Sequence, residues 1–291
     1  MPAIYAHDYF GLSVVSTLPP SFASLYEKYP EAFRLGFQGP DILFYYKPLS
    51  SNPIRKWGMD LHVKTNGEAF FLEMGKRLLQ TTDSENPTQD EIFEKGGALT
   101  AYIAGFLCHF SLDVSTHPTI DFYSKDGLSH GRIESEFDKY VRRQKGEMLR
   151  GYNVAKDCVK KGNGCEQAVA TALDVSEKQV KKAIGTIRFI NGLFVKKSEA
   201  FHKFAHGVLT VAKMNKGKFG DMFMHQDDEP RCEKLNPKLF HQLTNAIAPA
   251  AKRIEYYFSN LANIVKEKAL KEEIFRCNYS GKKYTVSEEN T

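Results

Sequence analysis

The sequence lacks most of what marks a secreted, membrane-spanning or repetitive protein. Its 291 residues hold only five cysteines, Cys108, Cys158, Cys165, Cys232 and Cys277, and no Cys-x-x-Cys pair. An odd, sparse set excludes a disulfide framework and a thiolate zinc knuckle, and reads as reduced, mostly buried thiols. Long apolar runs are missing too: stretches such as 101–108 fall far below the about 20 residues that a membrane span needs. The chain opens Met1-Pro2-Ala3-Ile4-Tyr5-Ala6-His7-Asp8. No basic patch leads into an apolar core and a small-residue cleavage site, so a cytoplasmic protein without a secretory signal is expected. No internal repeat or low-complexity tract occurs. Strand signals are scarce, and the best of them, 282–286, is short.

What is present is helical periodicity. Hydrophobic residues make up 42% and charged residues 26% of the chain, enough for a packed core under a solvated surface. The net charge is +5. Much of the basic excess lies in the second half, at Lys156, Lys160, Lys161, Lys178, Lys181, Lys182, Lys196 and Lys197. Such charge could attract phosphate groups or an anionic membrane surface; a solvated helical face is the plainer reading. Apolar spacing predicts a helix over 58–81, with Leu61, Phe70, Phe71, Met74, Leu78 and Leu79 on its inner side. A second is expected over 88–117, capped by Thr88 with Glu91 three residues on, and ended by Pro118. A third is expected over 129–148, with Ser129 as cap. Residues 176–209 read as one or two helices broken near Gly192, and 236–271 as a final pair with a boundary near Pro249. Loops are expected at 37–52, 82–87, 119–128, 160–164 and 216–232. With no flexible linker in sight, the expectation is an all-α multi-helix bundle forming one domain over 1–291.

The chemistry is concentrated in the first half. In the second helix, His109, Asp113 and His117 recur every four residues, which stacks them on one helix face. Their neighbours Ile103, Phe106, Leu107, Phe110 and Leu112 are apolar, and an unpaired carboxylate among them would be costly to bury. A metal ion would satisfy all three, because zinc takes imidazole nitrogen and carboxylate oxygen readily. His130 and Glu134 repeat the spacing on the next helix. A lone histidine on an apolar face is usually a hydrogen-bonded core residue, and one His/acid pair is usually a surface pair. Two such motifs joined by a short loop point instead to zinc. Five of the nine histidines, His7, His62, His109, His117 and His130, lie in this half.

Other clusters read as structural. His202 and His206 are four apart but have no acid in the pattern. His7-Asp8 lacks the upstream histidine of an HD-type phosphohydrolase. His225-Gln226-Asp227-Asp228-Glu229 reads as a solvated acidic turn. Tyr45, Tyr46 and Trp57 could form a platform for a head group or base, although core packing is the commoner fate of such residues.

The run Gly39-Pro40-Asp41, Trp57-x4-His62, His109-x3-Asp113-x3-His117-Pro118 and His130-x3-Glu134 resembles the bacterial zinc-dependent phospholipase C family. That family shares its helical fold with the fungal and plant single-strand nucleases. The resemblance implies three zinc ions in a cleft between helices. One would be held by Asp41, His62, His109 and Asp113, a second by His117, His130 and Glu134, and a third by His7, a bridging Asp113 and the chain's amino terminus. Independently of that resemblance, a carboxylate such as Asp41 could orient the attacking water or take its proton. Glu134 matches the phospholipases, where the nucleases place Asp. Three features depart from the secreted phospholipases. Met1-Pro2 replaces an initial tryptophan, and the expected complement is two or three ions. The spacing between Asp113 and His117 is shorter. Ile42 stands where the choline-binding enzyme has an aromatic, so choline specificity is not implied. The expectation is thus a zinc-dependent phosphoric ester hydrolase acting on a lipid or small-molecule phosphoester, with a peripheral membrane contact and no double-stranded nucleic acid partner. The alternatives are a single-strand nuclease and a metal-stabilised binding protein without turnover.

Overall fold

The computed structural model describes residues 3–84, 86–204 and 227–283, and among them every regular element is helical. In chain order the helices are α1 (Ile4–Val15), α2 (Pro20–Lys28), α3 (Pro30–Phe37), a 3₁₀ helix at Gly39–Tyr45, α4 (Pro53–Val63), α5 (Gly67–Leu79), α6 (Gln89–Tyr123), α7 (His130–Gln144), α8 (Ala155–Cys158), α9 (Cys165–Leu173), α10 (Glu177–Phe194), α11 (Leu235–Ser259) and α12 (Leu261–Glu267). The all-α expectation holds.

The bundle is organised around α6. It is long and apolar enough to cross a membrane by length and composition alone, yet 89% of its most apolar stretch is buried inside the protein. Helices α1, α3, α5, α9 and α11 pack around it, and a continuous apolar cluster runs from Ala3 to Tyr279. The closest crossing is between α3 and α6. A Cβ on Gly36 would lie 2.3 Å from the Tyr102 carbonyl oxygen, and one on Gly105 would lie 2.2 Å from that of Phe33. The two backbones therefore touch, which only glycine at both positions permits.

Several boundaries differ from the sequence expectation. The helix expected over 58–81 is two. Pro53 and the Asn52 side chain, which accepts from the Arg55 amide, start α4 earlier, and Asn66 caps α5 through the Ala69 amide. The expected loop at 37–52 contains the 3₁₀ helix. Pro118 does not end α6, which continues to Tyr123. Proline removes only the hydrogen bond to the Val114 carbonyl. Gly281, at φ +67°, sits so close that a Cβ on it would lie 3.0 Å from that oxygen and 2.7 Å from the proline ring. The real irregularity of α6 is at Gly97, where φ is +48° and ψ −118°. Thr88 caps the helix as expected, and so does Ser129 for α7, which stops at Gln144 rather than 148.

Gly192 does not break α10. A Cβ there would come within 2.9 Å of the Asn153 amide, so the glycine admits a close neighbour. Pro249 lies inside α11, and the chain turns only at Asn260. The short strand expected over 282–286 is reduced, among the described residues, to one bridge between Cys277 and Lys283. All five cysteines are free and four are buried.

Candidate metal centre

Five elements bring the eight singled-out residues together; Asp41, His62, Asp113, His117, His130 and Glu134 line a cleft, and His7 and His109 are buried beside them. Helix α1 supplies His7, the 3₁₀ helix Asp41, α4 His62, α6 His109, Asp113 and His117, and α7 His130 and Glu134. Ligating atoms converge in three groups: His7, His109 and Asp113; Asp41, His62 and His109; His117, His130 and Glu134. Asp113 stands among them. Its Oδ1 lies 3.4 Å from Nε2 of both His7 and His117, and its Oδ2 lies 3.1 Å from Nε2 of His109. His62 Nε2 is 2.9 Å from Asp41 Oδ1, and Glu134 Oε1 is 3.2 Å from His130 Nε2 and 3.6 Å from His117 Nε2.

These separations fit a zinc coordination sphere. With zinc bonds of about 2.0–2.1 Å to nitrogen and oxygen, the edge of a tetrahedral site is about 3.3 Å. The buried Nδ1 of His7 has no hydrogen-bond partner among the described residues, and Asp41 Oδ1 and His109 Nε2 meet only the imidazole and carboxylate groups of the cluster itself. An orphaned buried group is costly unless something else satisfies it.

The histidines are also oriented from behind. Nδ1 of His62 lies 2.7 Å from the Gly58 carbonyl oxygen, Nδ1 of His109 3.2 Å from that of Phe37, and Nδ1 of His130 3.2 Å from Asp121 Oδ1. A carbonyl or carboxylate oxygen only accepts, so each Nδ1 carries a proton, and in the neutral ring each Nε2 lone pair faces the cluster. Gly39, at φ +51°, lets the 3₁₀ helix lie against the His109 ring: a Cβ there would come within 2.3 Å of it. The His7 and His109 rings stack at 4.5 Å between centroids.

Electrostatics follow from this crowding. Burial would lower the His109 imidazolium, but the adjacent Asp113 carboxylate raises its pKa to about 9. Burial lowers His7 to about 4, helped by the charge on His109. Asp113 is held well below the usual carboxylate range by His109 and His117 despite its burial. Two carboxylates and five imidazoles share this cluster with Asp41, so positive charge there is stabilised and needs a cation or protons to supply it.

The structure adds two residues that the sequence reading passed over. Asp121, one turn beyond His117, supports His130. Asp138, one turn beyond Glu134, accepts the backbone amides of Tyr5 and Ala6 at 2.9 Å each and so pins the start of α1 beside His7. Both continue the four-residue stripes already visible at 109–117 and 130–134; following those stripes further would have found them.

The remaining clusters lie elsewhere. His202 Nε2 is 2.7 Å from the Lys196 carbonyl oxygen, a structural role, and His206 lies outside the described residues, as do His225 and Gln226. Asp228 pairs with Lys139 and Arg143. Tyr45 lines the cleft, whereas Trp57 donates to the Leu173 carbonyl and Tyr46 lies beside Lys47 and Lys182.

The cleft has a volume of about 500 Å³. Its lining also includes Phe44, Tyr45, Pro48, Met59 and Val63, which lie on or between the two elements that carry Asp41 and His62. Met59 and Val63 are also exposed at 48% and 57%, and Leu49, beside Pro48, is exposed at 73%. A helical bundle with three His/carboxylate groups at one cleft is the architecture of a metal-dependent hydrolase. The profile of the family described as zinc dependent phospholipase C matches residues 6–184, and the chain belongs to that family. No curated protein and no solved structure matches the chain.

Proposed function

We propose that this protein hydrolyses the phosphodiester of phospholipids, releasing a phosphorylated head group. Membership of the zinc-dependent phospholipase C family supports the reaction class. The observation that carries the lipid reading is the mixed lining of the cleft. Ligating groups able to hold metal stand there beside apolar side chains, and these continue into the exposed Leu49, Met59 and Val63. A rim of this kind suits a lipid surface, to which the protein would attach peripherally, better than a nucleic acid strand.

In this reading Asp41, His62, His109 and Asp113 hold one zinc ion and His117, His130 and Glu134 a second. His7 with the bridging Asp113 contributes to a third. Zinc, when bound there, makes hydroxide available near neutral pH and neutralises charge on phosphoryl oxygens. Asp41, at the cleft surface of its group, orients the attacking water and accepts its proton. The carbonyls of Gly58 and Phe37 and the Asp121 carboxylate keep the imidazoles in register. Phe44 and Val63 receive the glycerol end of the lipid and keep bulk water from the cleft.

The test is elemental analysis of protein purified without chelator, followed by assay on micelles of short-chain phospholipids and on single-stranded oligonucleotides. Two or three zinc ions per chain with release of phosphorylated head groups is the expected result. Cleavage of oligonucleotides alone would establish the nuclease alternative, and bound zinc with no turnover of either substrate would leave a metal-stabilised binding protein.

A further inference from the structure

Apart from the histidines, the cleft lining holds four carboxylates, Asp41, Asp113, Asp121 and Glu134, and one basic side chain, Arg55. Its position is set by α4. Arg55, Met59, His62 and Val63 recur at helical spacing on the face turned to the cleft. Arg55 is therefore two turns, about 10 Å, from His62 along the helix axis. A substrate whose phosphodiester sits at the ligating groups would extend its head group past Met59 toward this guanidinium.

The hydrogen bonds of Arg55 are uneven. Nη1 donates to the Pro48 carbonyl oxygen at 2.8 Å, which ties the 47–52 loop to the helix. Nε is buried, and among the described residues neither it nor Nη2 has a protein partner and no carboxylate pairs with Arg55. If loop anchoring were its whole role, one edge of the guanidinium would be left unsatisfied at a cost. The free Nε–Nη2 edge is the fork that takes a carboxylate or phosphate bidentately.

We infer that Arg55 is a specificity-determining residue, selecting substrates whose head group carries a negative substituent, a phosphomonoester or carboxylate, beyond the phosphodiester. This rests on the phospholipase reading above. The same cation disfavours a quaternary ammonium head group, so discrimination comes from repulsion as well as attraction. Arg55 does not touch the reacting bond, and its effect is on substrate choice.

The experiment has two arms. Zinc-loaded protein is titrated calorimetrically with inositol 1,4-bisphosphate and with phosphocholine, for the wild type, Arg55→Gln and Arg55→Lys. The wild type should bind the bisphosphate tighter by roughly 10- to 100-fold. Arg55→Gln should abolish that preference and Arg55→Lys should keep part of it, because lysine retains the charge without the fork. In the second arm, the ratio of kcat/KM on short-chain phosphatidylinositol 4-phosphate to that on phosphatidylcholine should fall by a similar factor in Arg55→Gln. Equal wild-type affinities, no binding of either probe, or an unchanged preference in Arg55→Gln overturns the inference. A wild type that binds with the expected preference but turns over no phospholipid upholds the role of Arg55 and defeats the phospholipase reading. Circular dichroism on both variants separates loss of preference from loss of fold, since Arg55→Lys keeps a donor for the Pro48 carbonyl.

Discussion

Asp121 shows how far the chemistry of this site depends on residues behind the ligating groups. Its carboxylate lies 3.2 Å from His130 Nδ1 and fixes which ring nitrogen faces Glu134. Replacing it by asparagine keeps the size but offers an amide that can present either its oxygen or its nitrogen. We expect Asp121→Asn to weaken zinc affinity by roughly 10- to 100-fold while the fold persists. A competition titration against a chromophoric chelator measures this, and an unchanged affinity would show that His130 is oriented by something else. At this scale the sequence was most legible where one helix carries several groups. His109, Asp113 and His117 share a face by periodicity alone, as do His130 and Glu134. Arg55 was invisible: an arginine in the first turn of a helix that the sequence did not show starting there has no signal until the cleft is formed.

At the scale of elements, two features hold α1 and α3 where the site needs them. Asp138 acts as an N-cap supplied by another helix, accepting the amides of Tyr5 and Ala6. Loss of an N-cap acceptor costs about 1 kcal/mol, and a change of that size lowers Tm by roughly 2–4 °C in a protein of this size. Asp138→Ala should show that shift together with reduced zinc occupancy at the His7 group. A lower Tm with full occupancy would mean that α1 keeps its place without the tether. The α3–α6 crossing is less forgiving. Gly105→Ala places a methyl 2.2 Å from the Phe33 carbonyl oxygen, and the clash is with backbone that cannot rotate away. We expect a destabilisation of about 3 kcal/mol, at the upper end for overpacking, readable by urea denaturation; a loss below about 1 kcal/mol would mean that the helices separate freely. The sequence displayed caps such as Thr88 and Ser129 well, because a cap is local. It misplaced the ends at Pro118, Gly192 and Pro249, and the first two of those residues are accommodated by partners distant in the chain. Gly281 beside Pro118 and Asn153 beside Gly192 are such partners.

Across the whole molecule, the ligating groups act as a clasp. They arrive from positions 7, 41, 62, 109–117 and 130–134 on five elements that share little sequence proximity. His7, His109, Asp113 and Glu134 are each at most 6% exposed. Without a cation, their carboxylates and imidazoles have only one another for partners, and Nδ1 of His7 goes unsatisfied. A ligand that binds only the folded state stabilises it by about 4 kcal/mol at a concentration a thousandfold above its dissociation constant. At about 2–4 °C per kcal/mol, this corresponds to a Tm rise of roughly 10 °C on binding zinc. Chelator-treated protein should melt lower by that amount and recover on addition of zinc. Magnesium should not restore it, because imidazole-rich sites favour zinc over the hard, oxygen-seeking magnesium ion. Scanning calorimetry of the two forms, with elemental analysis of each sample, makes the comparison. Equal melting temperatures in samples shown to differ in zinc content would mean that the bundle holds these groups together through packing around α6 alone, and that metal serves only the chemistry of the cleft.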